Sequence, residues 1–129
     1  MKNMKEMIKG KGAVGMAISY FSLLGMVSLP LEPCDYNLII DIEGKLFRIK
    51  VISCSYKSPY GVYTVSIKSM GGNMRKMTTK KFDNKSCEYV FIVTDELDLY
   101  NIPSSCINSK TQLSLNVYDK YKVKLGDVS

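Results

Sequence analysis

The sequence contains no histidine and no tryptophan among its 129 residues. Without histidine, the chain has no imidazole general base, no Ser–His or Cys–His pair and no metal site that needs an imidazole ligand. The remaining catalytic options are carboxylate, lysine, tyrosine or cysteine chemistry, or no chemistry at all. A hydrophobic fraction of 46% is sufficient for the core of one domain of this length.

Cysteine is scarce and widely spaced. The four residues Cys34, Cys54, Cys87 and Cys106 form no Cys-x-x-Cys pair, which argues against a zinc ribbon. Two disulfides would fit a secreted protein, but we expect reduced, semi-buried thiols in a cytoplasmic protein.

Charged residues are absent from Ala13 to Leu31, after a basic N-terminus. Glycine, serine and proline interrupt this run and no small-x-small cleavage site follows it, so we predict neither a membrane anchor nor a signal peptide. Its apolar residues instead follow the spacing of one helix face, with Gly25 predicted to end the helix in a left-handed conformation and Met26 to Leu29 to form a short strand. The predicted face consists of Val14, Ala17, Ile18, Phe21 and Leu24.

Positive charge is concentrated in the first two thirds of the chain. Residues 1–81 carry 13 basic and 5 acidic side chains, whereas residues 82–129 carry 5 basic and 7 acidic ones. The densest basic stretch runs from Lys68 to Lys85 and contains one acid, Asp83. This asymmetry fits either a polyanionic partner such as nucleic acid or a solvated face.

The remainder of the sequence is rich in strand patterns. Two β-rich runs, Tyr36 to Ile42 and Lys45 to Ser53, flank Glu43-Gly44 and predict an antiparallel hairpin. A two-residue turn sets Ile42 opposite Lys45 and Asn37 opposite Lys50. On the second strand it separates the face of Phe47, Ile49 and Val51 from the face of Arg48, Lys50 and Ile52.

Further strands are predicted along the chain. These are Gly61 to Ser69, a buried central strand from Glu88 to Thr94, an edge strand from Leu99 to Ile102 followed by a helical turn from Pro103 to Ile107, and a last strand from Gln112 to Val117. We therefore predict a single domain over residues 1–129 of the α+β (α/β) class, with an N-terminal helix packed on a mixed, largely antiparallel sheet. Residues 1–8 are expected to be a flexible terminus and residues 70–86 a basic loop.

The order of these motifs resembles the PD-(D/E)XK nuclease superfamily, with a restriction-endonuclease-like core. The likeness is to its small intron-encoded and resolvase-like branch. It extends from about Lys9 to Ile107 and is carried by KGKGAVG, the helix, GMVSLPLEP, YNLIID, EGKLFRIKVIS and EYVFIVTDELDLYNIP. The resemblance implies a carboxylate after G-x-x-G at the first helix, an Asp on the first hairpin strand, and a Glu or Gln followed two residues later by a Lys on the second. In such sites the acids hold Mg²⁺, which activates water and stabilises charge on the phosphate.

Each of the four catalytic positions that this resemblance implies is substituted here. The corresponding residues are Met16 after G-x-x-G, Asn37 on the first strand, and Lys50 and Ile52 on the second. A site with about two negative charges thus becomes neutral with one cation, and we predict no catalytic residue, no metal and no cofactor.

Other acids offer an alternative site. We expect Asp35 on the strand face opposite Asn37, Asp41 about 13 Å farther along the strand, and Glu43 in the hairpin turn. A rearranged site using Asp35 or Asp41 with a migrated lysine stays open, and Mg²⁺ is the expected cofactor only in that case.

Three functions follow from these observations. The first is a pseudo-nuclease that binds nucleic acid, DNA more readily than RNA, through a basic groove. The second is a mobile-element-encoded inhibitor of the anti-defence or anti-CRISPR type that binds a nucleic-acid-processing protein or its nucleic acid. The third is a metal-dependent DNA endonuclease with a rearranged site. In each case no membrane partner is expected, and a homodimer is compatible with the sequence.

The predicted binding residues form the groove and its rim, namely Lys50, Arg48, Lys68, Arg75, Lys76, Lys80 and Lys81. Tyr56, Tyr60 and Tyr63 could stack on exposed bases, but cross-strand packing is the favoured interpretation.

Overall fold

A mixed six-stranded sheet with one helix against it forms the centre of the molecule. The computed structural model describes residues 11–32, 34–73 and 76–125, so the expected flexible terminus at residues 1–8 and the predicted rim residue Arg75 lie outside the described residues. The elements are α1 (Lys11–Ser22), β1 (Met26–Ser28), β2 (Leu38–Ile42), β3 (Lys45–Cys54), β4 (Thr64–Ser66), β5 (Ser69–Asn73), β6 (Lys76–Lys80), β7 (Tyr89–Thr94), β8 (Leu99–Pro103), β9 (Gln112–Ser114) and β10 (Lys122–Val123), with 3-10 turns at Ser104–Cys106 and Leu115–Tyr121.

The β2–β3 hairpin has the predicted register. Ile42 lies opposite Lys45, and the pairing continues inward to Leu38 and Ile49. Glu43 and Gly44 adopt φ values of 52° and 86°, the left-handed conformation that a tight two-residue hairpin turn requires. The Asp41 carboxylate accepts a hydrogen bond of 2.8 Å from the Gly44 N–H, which closes the turn.

Strand β7 is the buried central strand that the apolar run predicts, and it pairs in parallel with β3. Its other neighbour is β8, which the sequence predicts as an edge strand. That prediction is wrong, because β10 pairs with the outer side of β8 and places Lys122 opposite Tyr100. The sheet order is therefore β1-β2-β3-β7-β8-β10.

The helix α1 packs on one face of this sheet. Its fully buried positions are Ala13, Ala17, Tyr20 and Phe21, and the aromatic rings of Tyr20 and Phe21 both contact Phe91 of β7. The predicted face is thus correct at Ala17 and Phe21, whereas Val14, Ile18 and Leu24 are half-buried at its margin.

The glycine after α1 has a different role from the predicted one. Gly25 lacks the positive φ of a left-handed cap. A Cβ at this position would lie 2.2 Å from the Asp41 carbonyl oxygen, so glycine is needed for the close approach of the β1 entry to β2.

The opposite face of the sheet carries a second hydrophobic core and the short β4–β9 pair. Val65 and Ile67 from the β3–β7 connection pack there with Leu113. The predicted strands around them are too long: β4 covers three residues of Gly61 to Ser69, and β9 ends at Ser114, where a 3-10 turn begins. The predicted loop at residues 70–86 instead contains most of the β5–β6 hairpin, with Gly71 opposite Thr78.

The overall architecture is α+β, with the N-terminal helix on a mixed and mostly antiparallel sheet, as predicted. Within the described residues, no helix is long and apolar enough to cross a membrane.

Candidate functional site

A pocket of about 370 Å³ opens on the sheet face opposite α1, beside the β2–β3 pair. The chain before β2 forms one wall, the middle of β3 forms the floor, and the β4 region forms the other wall. The lining residues are Cys34, Asp35, Asn37, Lys50, Val51, Ile52, Ser66 and Lys68. Three of the four substituted catalytic positions, Asn37, Lys50 and Ile52, therefore come together in one place.

Asn37 continues the hairpin beyond the last strand residue. Its backbone N–H donates to the Ile49 carbonyl at 2.8 Å, and its side-chain Oδ1 accepts from the Val51 N–H at 2.7 Å. The amide oxygen is thereby tied to the backbone of β3 and holds the pocket wall against the pocket floor.

Lys50 brings a positive charge into the floor of the pocket. The side chain is half-buried, and the loss of water around its ammonium group lowers its pKa. The nearby Asp35 carboxylate opposes this shift because it attracts the charged form, whereas Lys80 adds to it by repulsion.

Asp35 and Lys80 close one side of the pocket with an ion pair. Lys80 Nζ lies 3.5 Å from Asp35 Oδ2, across 45 positions of the chain. With Lys50 and Lys68, this arrangement sets three lysines around one carboxylate, so the described part of the pocket has a net positive charge.

The prediction that Asp35 lies on the strand face opposite Asn37 is wrong. Asp35 and Asn37 line the same pocket, not opposite faces. The physical reason is the period of an extended chain, in which residues two apart project to the same side.

The residues of this pocket do not fit Mg²⁺. Hard divalent cations are held by several carboxylate and carbonyl oxygens, but here Asp35 supplies the carboxylate and is already paired with Lys80. The Asn37 oxygen accepts a backbone N–H, Ile52 is aliphatic, and Lys50 places an ammonium group at the floor. In the described ranges, no group of three or more Cys, Asp or Glu side chains is arranged to hold a metal ion.

The fourth substituted position lies elsewhere. Met16 packs on the α1 side of the sheet and lines a cavity with Leu97, Leu99 and Val123, near the β8–β10 edge. The structure therefore separates Met16 from Asn37, Lys50 and Ile52.

Arg48 is engaged in an internal contact. Its guanidinium forms hydrogen bonds to both carboxylate oxygens of Glu88, at 2.6–3.2 Å, and a further one to the Lys85 carbonyl at 2.9 Å. The hydrogen bonds from Arg48 lower the pKa of Glu88, and the same contact raises the pKa of Arg48. Arg48 thus fastens β3 to the segment before β7, and its role on a nucleic-acid rim stays a prediction.

The other predicted rim residues are divided between two places. Lys68 lines the basic pocket, and Lys80 reaches it through Asp35. Lys81 is exposed and lines a different cavity, and Lys76 is the first residue of β6.

Two of the three tyrosines differ from the expected packing role. Tyr63 is buried, donates its hydroxyl hydrogen bond to Asp95 and lies beneath the Lys57 ammonium, so it packs as expected. Tyr56 and Tyr60 are 62% and 92% exposed on the loop after β3.

The sequence analysis missed the contribution of Asp35 and Ser66 to the pocket. No local sequence pattern identifies Ser66 as a pocket residue, because its position depends on how the β3–β7 connection folds back over the sheet. The position of Asp35 could have been found from the two-residue spacing to Asn37.

The comparisons with known proteins identify the family and the fold. The family model described as PD-(D/E)XK endonuclease matches residues 8–125. The solved structure of a bacterial homing endonuclease superposes with a TM-score of 0.70 and 21% sequence identity, over 95% of this chain and 80% of that chain. At this identity the superposition establishes the shared fold. Among curated proteins, none matches the sequence significantly.

Proposed function

The chain belongs to the PD-(D/E)XK endonuclease family, and from this premise we propose that it is a nucleic-acid-binding module that does not cleave. The basic pocket around Lys50 is the proposed binding site, and a backbone phosphate is the group it receives. The observation that carries this proposal is the half-buried ammonium of Lys50 at the floor of the pocket that Asn37 also lines.

Charge and shape support phosphate binding. Lys50 and Lys68 line an open pocket of about 370 Å³, and Lys80 pairs with Asp35, the carboxylate among the lining residues. Lysine binds phosphate as a compact point charge, and each neutralised phosphate releases condensed counterions from the nucleic acid. Lys50 thus supplies the positive charge that a metal ion supplies in a catalytic site of this family, and binding requires no divalent cation.

The absence of cleavage follows from the same residues. Hydrolysis of a phosphodiester by a metal ion needs ligands that hold the ion and activate water. The pocket has an engaged amide at Asn37, an alkyl chain at Ile52 and a repelling cation at Lys50 in the corresponding places.

Fluorescence anisotropy with labelled oligonucleotides tests the binding. Duplex DNA, single-stranded DNA, a branched DNA and duplex RNA are titrated with protein in EDTA, at salt concentrations from about 50 to about 300 mM. We expect binding that weakens steeply with salt, and roughly five- to tenfold weaker binding for Lys50→Met or Lys68→Met at about 0.1 M salt, because each variant removes one of the cations that neutralise the phosphate in the pocket.

Lys45→Met is the matched control. Lys45 is exposed at the start of β3, five residues and about 17 Å from Lys50, and its removal should leave binding unchanged. Failure to bind any of the four nucleic acids at the lowest salt concentration would contradict the proposal. In that event, a protein partner that is still captured after nuclease treatment would support the inhibitor function.

A plasmid incubated with Mg²⁺ or Mn²⁺ tests the catalytic part separately. We expect no nicking or linearisation above the level of the buffer. Metal-dependent cleavage that Asp35→Asn abolishes would overturn this part and establish the rearranged nuclease site.

A further inference from the structure

A second cavity lies next to the basic pocket. It has a volume of about 330 Å³ and lies between residues 81–84 and residues 107–110. Its floor is apolar, since Phe82 and Ile107 are 5% and 1% exposed. The Phe82 N–H donates to the Lys110 carbonyl at 2.8 Å and holds the two segments together.

The two cavities meet at consecutive residues. Lys80 reaches Asp35 in the wall of the basic pocket, whereas Lys81 lines the second cavity. Their Cα atoms are about 3.8 Å apart, as in any trans peptide. Because Lys80 belongs to the ion pair at the basic pocket and the next residue lines the second cavity, a strand of nucleic acid that extends past Lys80 can reach the second cavity.

The rim of the second cavity offers donors to an anion. Lys81 and Lys110 both line it and are exposed, and Asn84 and Asn108 add side-chain amides. The rim also carries the Asp83 carboxylate, which accepts a hydrogen bond of 2.9 Å from the Lys85 N–H, and the two lysines outweigh its negative charge.

We propose that this second cavity binds a backbone phosphate flanking the one at Lys50, on the same nucleic-acid strand. The phosphate path then runs from Lys50 past Lys80 and Lys81 to Lys110. This inference rests on the proposed function and adds Lys110, a residue outside the basic stretch of the sequence, to the interface.

The salt dependence of binding reports how many phosphates the protein neutralises. The slope of the logarithm of the association constant against the logarithm of salt concentration decreases in magnitude by about 0.7–0.9 for each phosphate that is no longer neutralised. We expect a smaller slope for Lys110→Met and for Lys81→Met, with the full decrease when both lysines are replaced, and the wild-type slope for Lys45→Met. Thermal unfolding of each variant checks that the fold is retained.

An oligonucleotide length series supplies a second readout. Wild-type affinity should increase with length until the strand spans both cavities, and the Lys110→Met variant should reach its plateau at a shorter length.

The outcomes separate the two proposals. If Lys50→Met weakens binding while Lys110→Met keeps the wild-type slope and plateau length, the second cavity is not part of the interface and the proposed function stands. If no variant changes the slope, both proposals are wrong.

Discussion

At Lys50, the requirements of folding and of binding oppose each other. Burial lowers the pKa of its ammonium group, so the charged form of Lys50 is less favourable in the folded protein than in the unfolded chain. In the proposed function, the same charge binds a phosphate. Residues that lower the stability of a protein occur mainly at functional sites, because elsewhere the sequence tends to favour the folded state.

Lys50→Met should therefore stabilise the protein while it weakens nucleic-acid binding. The substitution keeps an unbranched side chain that is one atom shorter and removes a partly desolvated charge, which we expect to raise the free energy of unfolding at pH 7 by up to about 1 kcal/mol. Urea unfolding measures the change, and Lys45→Met is the control because Lys45 is exposed.

The pH dependence of stability tests whether the charge of Lys50 causes this difference. Because the folded pKa of Lys50 lies below the unfolded value, the unfolded chain binds more protons between the two values, and wild-type stability rises with pH there. The advantage of Lys50→Met should shrink as pH is raised from 7 towards 10. An advantage that grows with pH would contradict the assignment.

Gly25 and Gly15 form a matched pair for a test of close packing. A Cβ at Gly25 would meet the Asp41 carbonyl at 2.2 Å, whereas a Cβ at Gly15 in α1 has nothing within 4 Å. We expect Gly25→Ala to destabilise the protein by about 1–3 kcal/mol and Gly15→Ala to stabilise it by about 0.5–1 kcal/mol, measured by chemical unfolding. Equal effects of the two substitutions would show that the β1–β2 approach does not depend on glycine.

At the scale of elements, the contact between Arg48 and Glu88 secures the parallel pairing of β3 with β7. Glu88 Oε1 also accepts the backbone N–H of Arg48 at 2.9 Å, and the Glu88 N–H donates to the Arg48 carbonyl at 2.9 Å. The carboxylate and its backbone thus extend the β3–β7 ladder by one residue before β7 begins.

Glu88→Gln should weaken this junction. Both side chains are about one-third exposed or more, so we expect a loss of about 0.5–1 kcal/mol at pH 7 in urea unfolding. Glu96→Gln, which alters the exposed pair with Lys57, is the control and should leave stability unchanged.

Acid should remove the difference between Glu88→Gln and the wild type. Arg48 lowers the folded pKa of Glu88, so its contribution is fully present above the unfolded value of about 4.3 and is lost as pH falls through the folded value. A difference that persists undiminished at pH 2 would mean that the carboxylate charge is not the source of stability.

The elements that the sequence analysis placed correctly are those specified by local signals. The β2–β3 register follows from Glu43-Gly44 and from alternation on both sides, and β7 follows from its apolar run. Strand β10 is two residues long and forms only because a 3-10 turn carries it back beside β8, so nothing in its own sequence reveals it. The same holds for β5 and β6, whose glycines and lysines resemble a loop.

For the whole molecule, four separated stretches must meet to make the basic pocket and its ion pair. Asn37 and Lys50 could be placed opposite each other from the hairpin alone, whereas Lys68 and Lys80 reach them through tertiary folding. Charge counting identified these lysines as candidates, but it could not distinguish them from Arg48, whose pairing with Glu88 depends on the parallel arrangement of β3 and β7.

The cysteines give a test of the interface in the intact protein. Cys34 is exposed and lines the basic pocket, whereas Cys106 is exposed in a different cavity beside Tyr121. We expect DNA to slow the alkylation of Cys34 by a maleimide and to leave the rate at Cys106 unchanged, measured by mass spectrometry of peptides. Cys54 and Cys87 are buried and should react slowly in both conditions. Equal protection of Cys34 and Cys106, or protection of Cys106 alone, would place the nucleic acid elsewhere.

The connection between β3 and β7 has a consequence for the order of events during folding. Residues 55–88 join two strands that are direct neighbours in the sheet, and they contain Ser66, Lys68, Lys80 and Lys81. The parallel β3–β7 pair forms only when this long segment closes on itself, which is a slow, non-local step that depends on contacts far apart in the chain. That closure carries Lys68, Lys80 and Lys81 into place, whereas Lys110 joins from the segment after β8. A chain that completes the centre of its sheet therefore acquires most of the proposed phosphate path in the same step.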